Sequence, residues 1–464
     1  MTTRYNLGYV WAISLVAAMG GLLFGYDWVV IGGAKPFFER YFGLTTAAEI
    51  GWANSCALVG CLLGSLVTGA LSDRVGRKRL LLVAALIFAG SSVLTGWAGS
   101  FAAFVTWRMA GGVAIGMASS LSPMYIAEIA PAHLRGRLVA VNQLTIVIGI
   151  LGAQIANWII AVRLPFLDVA DVEAARMAWN VAYGWRWMFT AVTVPSLLFF
   201  AGALFVPESP RWLLASGARE KALRVLARIG GASYAADAAM EIERTLASGR
   251  GGRSELKVLL EPKVRAIVLV GVTLAVLQQW SGINSIFNYA EEIYRSAGYG
   301  IGDIMFNIVI TGAINLVFTL AAIAMVDRVG RRKLMLAGCA GIGVSHVLLG
   351  AAYAAGWTGL PVLVFTLCSL GCYALSLAPV TWVLIAEIFP NRVRGAAVSV
   401  AVSALWIACF VLTFAFPLLQ RSVGMAGTFW IYAAICWAGF VFVLAKVPET
   451  KGRSLEQIEQ DLGL

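Results

Sequence analysis

The stretch FGYDWVVIGG, Phe24–Gly33, puts a carboxylate inside an apolar run that begins at Val10 and meets no other charge before Lys35. A charge inside a membrane span costs roughly 2.5–3.5 kcal/mol on insertion scales, so an intramembrane ionisable residue is read first as functional. Asp27 has one counterpart, Arg108, which sits deep in a later run. Asp27 lies eight positions before Lys35 and Arg108 seven positions after Phe101. If the two runs cross in opposite directions, both residues lie ~10–12 Å below the same surface at ~1.5 Å per residue. Equal depth and opposite charge predict an ion pair. An arginine partner favours the ionised carboxylate, whereas burial without one favours the protonated form. A carboxylate whose partner comes and goes is therefore a proton switch. The alternative reading is a static structural pair.

A second set of groups is neutral. Gln278, Gln279 and Asn284 place three amides within seven positions of one apolar segment. Amides both donate and accept hydrogen bonds, which suits a ring of hydroxyls. Gln278 and Asn284 are six apart, so an unbroken helix would spread them over two faces. A break at Gly282 would let all three face one cavity. The alternative is that they only tie neighbouring helices together.

The elements that must hold these groups are membrane helices. The chain has 464 residues, 60% of them hydrophobic and only 13% charged, with a mean hydropathy of +0.82. Apolar runs of ~20 residues recur along its length, each long enough to span as a helix. They lack the alternation of barrel strands. Twelve spans are predicted at 9–34, 50–71, 80–98, 101–124, 138–161, 187–206, 264–293, 301–325, 334–355, 361–386, 397–419 and 427–446. The first run reads as a span and not a cleaved signal. The expected organisation is a six-helix half over 1–206, a linker over 207–263 with amphipathic surface helices, a second six-helix half over 264–446, and a tail over 447–464.

The net charge of +11 is confined to loops and reads as topology, not nucleic-acid binding. Most of the 35 Lys and Arg fall on one side if the N-terminus is inside, which puts both termini in the cytoplasm. Seven scattered cysteines make no disulfide framework or metal site. His133 and His346 are isolated and read as structural, and no phosphate-binding GxxxxGK[ST] loop is present. Neither an enzyme nor a primary pump is indicated.

The halves repeat one another. LSDRVGRKRL (Leu71–Leu80) returns as MVDRVGRRKL (Met325–Leu334), IAEIAPAHLRGR (Ile126–Arg137) as IAEIFPNRVRGA (Ile385–Ala396), and VPESPRW (Val206–Trp212) more loosely as VPETKGR (Val447–Arg453). A duplicated six-span unit is a common transporter design, with the site between the halves at mid-membrane. In the DRVGR loops, Gly76 and Gly330 permit a tight turn, and Asp73 and Asp327 can cap a helix or pair with nearby arginines. Glu128 with Arg135, and Glu387 with Arg394, form acid–base sets at span ends that could lock one face shut.

These motifs, in order, resemble the sugar porter family of the major facilitator superfamily over essentially the whole chain. The matching text is GGLLFGYDWVVIGG, DRVGRKR, RMAGGVAIGMASSLSPMYIAEIAPAHLRGRLVAVNQ, PESPRWL, QQWSGINSIFNY, DRVGRRK, APVTWVLIAEIFPNRVRG and VPETKGRSLEQIE. The chain looks closest to bacterial proton-linked xylose permeases and is similar to animal glucose facilitators. The resemblance implies a proton-coupled symporter for a monosaccharide of the D-xylose or D-glucose type. It would sit in the cell (inner) membrane, work by alternating access as a monomer, and use no cofactor beyond the coupling proton. It further implies sugar contacts from Gln143, Gln278, Gln279, Asn284, Asn315 and Trp382, with Phe24 beside the proton site. Proton coupling would fall to Asp27 and Arg108, because uncoupled facilitators carry asparagine in place of this Asp. Arg77 and Arg331 look like further partners in the cytoplasmic gating network. Departures occur at Asn288, Leu405 and Cys409, where relatives carry tyrosine, glutamine and asparagine. They leave the identity of the sugar open. The alternatives are an uncoupled sugar facilitator and a sugar sensor on a transporter fold.

Overall fold

The computed structural model describes residues 5–131, 133–162, 178–248, 259, 261–389 and 393–451. The side chains of Asp327, Ala386 and Arg394 lie outside the described set, as do 249–258 and 260 of the linker and 452–464 of the tail. Among the described residues the regular structure is helical. The first half comprises α1 (Leu7–Phe42), α2 (Ala47–Val75), α3 (Arg77–Gly96), α4 (Phe101–Ile129) and α5 (Arg135–Ala161). Its last crossing starts with a π-turn, Asn180–Gly184, and continues through α6 (Trp185–Thr190) and α7 (Thr193–Phe205). Two helices follow, α8 (Pro210–Ala215) and α9 (Arg219–Ser248). The second half has α10 (Pro262–Trp280), α11 (Ile283–Asn288), α12 (Ala290–Ser296), α13 (Ile301–Val329), α14 (Arg331–Ala354), α15 (Leu360–Leu375), α16 (Leu377–Ile388) and α17 (Arg394–Lys446).

Eleven stretches among the described residues are long and apolar enough to cross a bilayer. One of them, Gly395–Lys446, has 52 residues. A straight helix of that length would reach about 80 Å, more than twice the ~30 Å hydrocarbon core. Gly424 interrupts it with φ 73° and ψ 178°, which makes two crossings of it and brings the total to the expected twelve. The helices overrun the expected spans at most ends.

Within the halves, α2 packs on α4 and α1 on α5, while α14 and α10 pack on α17. The halves meet where α2 lies along α17, α5 along α13, and α1 against α11 and α12. Between membrane helices there is no differential hydrophobic drive, so close packing depends on small residues. A side chain at Gly112 would run into the Ala57 carbonyl, and one at Gly116 into that of Cys61. This glycine stripe draws α4, which carries Arg108, tightly onto α2. Large apolar side chains such as Phe205, Val194, Leu360 and Val441 are exposed on the rim, where lipid is the solvent. Gly76 and Gly330, at φ 98° and 101°, make the two DRVGR turns, a conformation that favours glycine. The amphipathic stretch after Ala218 is helical as far as Gly231, where a positive φ bends α9.

Candidate functional site

The amide-bearing segment is broken where its sequence breaks it. α10 ends at Trp280, Gly282 takes φ 88°, and α11 restarts at Ile283. The break brings the three amides into one chain. Gln278 Nε2 donates to the carbonyls of Leu377 and Ala378 at 3.2 and 3.1 Å. Those carbonyls lie just past Ser376, the junction of α15 and α16. Gln279 Nε2 donates to Gln278 Oε1 at 3.3 Å, and Asn284 Nδ2 donates to Gln279 Oε1. Asn284 also reaches Cys409 Sγ on α17 at 3.4 Å. All three amides are buried, and in this state each finds its partners inside the protein.

Cys409 leads to an aromatic group. Three residues earlier on α17, Trp406 faces Phe24 and Trp28 of α1, and the three rings lie 6.0 Å apart, centre to centre. One face of this group therefore comes from each half. Trp406 Nε1 is buried and has no hydrogen-bond partner among the described residues. Gln143 on α5 is partly buried and Asn315 on α13 is buried. Neither joins the amide chain. Trp382 on α16 is 39% exposed.

One turn along α1 from Phe24, Asp27 meets its predicted partner. Arg108 Nη1 donates to both carboxylate oxygens at 3.0 Å, and each residue is only 3% exposed. The Arg108 guanidinium also lies 5.2 Å from the Phe189 ring centre. The pair is thus held by α1 and α4, which the glycine stripe fixes against α2. Among the described residues no cluster of His, Cys, Asp and Glu could hold a metal.

The family model "Sugar (and other) transporter" matches residues 13–462. The chain belongs to that family. It is 37% identical to the D-xylose-proton symporter of Escherichia coli K12, over 99% of this chain and 97% of that one. It is likewise 37% identical to the arabinose-proton symporter of Bacillus subtilis 168, over 99% and 96%. The xylose transporter of E. coli, solved in a partially occluded inward-open conformation, superposes with a TM-score of 0.85 at 35% identity, over 96% of this chain and 100% of that one.

At the DRVGR end of the transporter, Arg77 Nη2 pairs with Glu128 at 2.9 Å and with Asp73 at 2.8 Å. Glu128 does not pair with Arg135, which is exposed and in no ion pair among the described residues. Arg77 displaces it because α3 starts buried beside the end of α4. The second half repeats the arrangement: Arg331 Nη2 lies 3.2 Å from Glu387. Asp327 and Arg394 have no described side chains.

Sequence reasoning missed the other members of these networks. Glu208 accepts the backbone N–H groups of Arg77 and Lys78 at 2.9 and 3.1 Å, and Ser209 Oγ donates to Glu128 at 2.5 Å. In the second half Glu449 accepts the Arg331 N–H at 2.9 Å, and Thr450 Oγ1 donates to Glu387 at 2.5 Å. The negative carboxylates of Glu208 and Glu449 thus sit at the N-termini of α3 and α14, where the helix dipole favours them. The signal was the PES/PET repeat, seen but given no role.

A further cluster was missed at the opposite end. Lys35 is 1% exposed. It pairs with Glu292, lies 3.1 Å from Glu39 and 3.8 Å from Glu291, while Arg295 holds Glu291 at 2.6 Å. Lys35 and Glu39 belong to α1, and the others to α12, so the cluster bridges the halves. The two histidines are structural in position: His346 Nε2 lies 2.8 Å from the Ser281 carbonyl, and the His133 ring packs 4.8 Å from Tyr5.

Proposed function

We propose that this transporter is a proton-coupled symporter for a monosaccharide of the pentose or hexose type, acting in the inner membrane with both termini cytoplasmic. Asp27 is the proton carrier and Arg108 its charge partner. The observation that carries this reading is the buried Asp27–Arg108 pair in a chain related to the xylose-proton and arabinose-proton symporters. A buried pair with both charges present is stable only while both are present; removing one leaves the other uncompensated. Protonation of Asp27 removes its charge, so it must be offset by a rearrangement around Arg108. Such a two-state pair is what coupling requires.

The sugar would lie against Phe24, Trp28 and Trp406 and exchange its hydroxyls for the bonds that Gln278, Gln279 and Asn284 now make to one another. Gln143, Asn315 and Trp382 would join when the cavity widens. The Lys35 cluster closes the outer end in this reading. The Glu128–Arg77 and Glu387–Arg331 networks brace the cytoplasmic ends. Opening one end while sealing the other gives alternating access, and proton and sugar favour each other's binding reciprocally.

The test is Asp27→Asn in membrane vesicles. Sugar counterflow should persist, while accumulation driven by a pH gradient and sugar-driven alkalinisation of the medium should both be lost. Normal accumulation by the variant would sink the symport reading in favour of a facilitator or of coupling elsewhere. Competition of unlabelled sugars against labelled D-xylose and D-glucose identifies the substrate.

A further inference from the structure

A small, partly open cavity reaches Arg108 of the proton pair. Arg108 lines it from α4, Trp28 from α1, Asn54 and Cys61 from α2, and Asn288 from α11. Asn288 is the contribution of the second half. Three buried polar atoms of these residues have no hydrogen-bond partner among the described residues: Arg108 Nε, a donor, and the Oδ1 atoms of Asn54 and Asn288, both acceptors. Orphaned buried polar groups are rare and call for an explanation. Here a guanidinium N–H and two amide carbonyls are the matching halves of hydrogen bonds that this state does not form.

The position of Asn288 adds to this. It lies one helical turn from Asn284 on the six-residue α11, so the two side chains share a face. Asn284 belongs to the amide chain and Asn288 to the proton cavity. α11 also lies directly on α1: a side chain at Gly32 would strike the Phe287 carbonyl and meet Asn288 Cα at 3.5 Å.

We propose that Asn288, with Asn54, is a positioning residue for proton coupling: the two amide oxygens accept from Arg108 when Asp27 is protonated, and α11 ties that contact to sugar binding. This rests on the symport reading above. When Asp27 becomes neutral, Arg108 keeps its charge and loses its partner in a buried place. Hydrogen bonds to a charged group are the strong ones, and two amide dipoles line the same cavity. Asn54 sits on the first half and stays beside Arg108. Asn288 moves with the second half. The protonated state is therefore best stabilised while α11 is seated, and a sugar held by Asn284 keeps it seated. Among the described residues, the titratable groups facing the pair are the two charges themselves and the thiols of Cys56 and Cys61 on α2. α3 offers Ser91 near Asp27, and α6 offers the ring of Phe189.

The test uses the full-length transporter in vesicles, with labelled D-xylose or D-glucose, whichever it accumulates. The readout is the pH midpoint of gradient-driven uptake at low and at saturating sugar. In the parent chain, saturating sugar should raise the midpoint. Asn288→Leu and Asn54→Leu remove an acceptor from the protonated state, so both midpoints should fall, on the order of one pH unit. Asn288→Leu should also abolish the dependence on sugar, whereas Asn54→Leu should keep it, and Asn288→Ser should restore part of the shift. Should Asn288→Leu fail to reach the membrane, Asn54→Leu and Asn288→Ser carry the same measurement. An unchanged midpoint, or a uniform fall in uptake at every pH, overturns the inference. Asp27→Asn, run alongside, separates the cases. If it still accumulates sugar, the symport reading falls. If it does not, and the asparagine variants keep the parent midpoint, only the coupling role falls.

Discussion

Gln279 occupies the middle of the amide chain, accepting from Asn284 and donating to Gln278. Truncating it leaves the sugar hydroxyl it would hold unpaired in the bound state, and a buried polar group left unpaired costs about 1–3 kcal/mol. Gln279→Leu should therefore raise the half-saturation constant for sugar by roughly tenfold or more, with little change in its amount in the membrane. Radiolabelled uptake over a range of sugar concentrations checks this; a variant with parental affinity removes Gln279 from the sugar site. At this scale the sequence was legible where a residue broke its surroundings. Asp27 and Arg108 stood out as charges in apolar runs, and the amides as polar groups in one. Lys35 did not, because it comes at the end of its run, where a charge looks like a span boundary. Only the chain's return in α12 buries it. Trp406 carries no such signal, being an aromatic in a hydrophobic helix, and its N–H without a partner among the described residues appears only in three dimensions.

Helices α1 and α12 are joined by the Lys35 cluster, and that join is electrostatic. Lys35 and Arg295 answer three carboxylates, Glu39, Glu291 and Glu292. Replacing Lys35 with an apolar residue leaves Glu39 and Glu292, both only partly exposed, without their cation across the halves, where like charges repel more strongly than in bulk water. Lys35→Met should destabilise this closed end and favour the state open on that side. A membrane-impermeant thiol reagent added from outside should then reach the central cysteines, Cys61 and Cys409, several times faster than in the parent. Equal labelling rates would show that apolar contacts, not this cluster, hold the end shut. The number of crossings followed from composition, though not their ends, and a break at Gly282 was the condition under which the three amides could share one cavity. The continuity of α17 through two crossings did not follow, since Gln420, Arg421 and Ser422 read as a polar loop between spans, whereas the chain stays helical there and only bends at Gly424.

Across the whole molecule, the two halves repeat the same network with unequal burial. The sequence made the repeat plain, through DRVGR and the acidic motifs, but pattern alone cannot assign Glu128 to Arg77 over Arg135, nor say how deeply each copy lies. The Glu128 side chain is 9% exposed and its Arg77 partner 6%, whereas Glu387 and Arg331 are 25% and 14% exposed. Removing one member of a buried pair leaves an uncompensated charge and costs about 3–5 kcal/mol, while an exposed pair is worth about 0–1 kcal/mol. Both copies are further tied by Ser209 and Thr450, so neither is a bare surface bridge. Glu128→Gln should consequently lower the thermal midpoint of the detergent-purified transporter more than Glu387→Gln, by several degrees. Tryptophan-fluorescence unfolding of the two variants measures the difference. Equal shifts, or a larger one for Glu387→Gln, would mean that the halves are braced alike and that burial does not set the strength of the latch. If the order holds, the first half is the stiffer body. It carries the Asp27–Arg108 pair, and the second half, with its broken α10–α11 segment, is then the part that moves against it during transport.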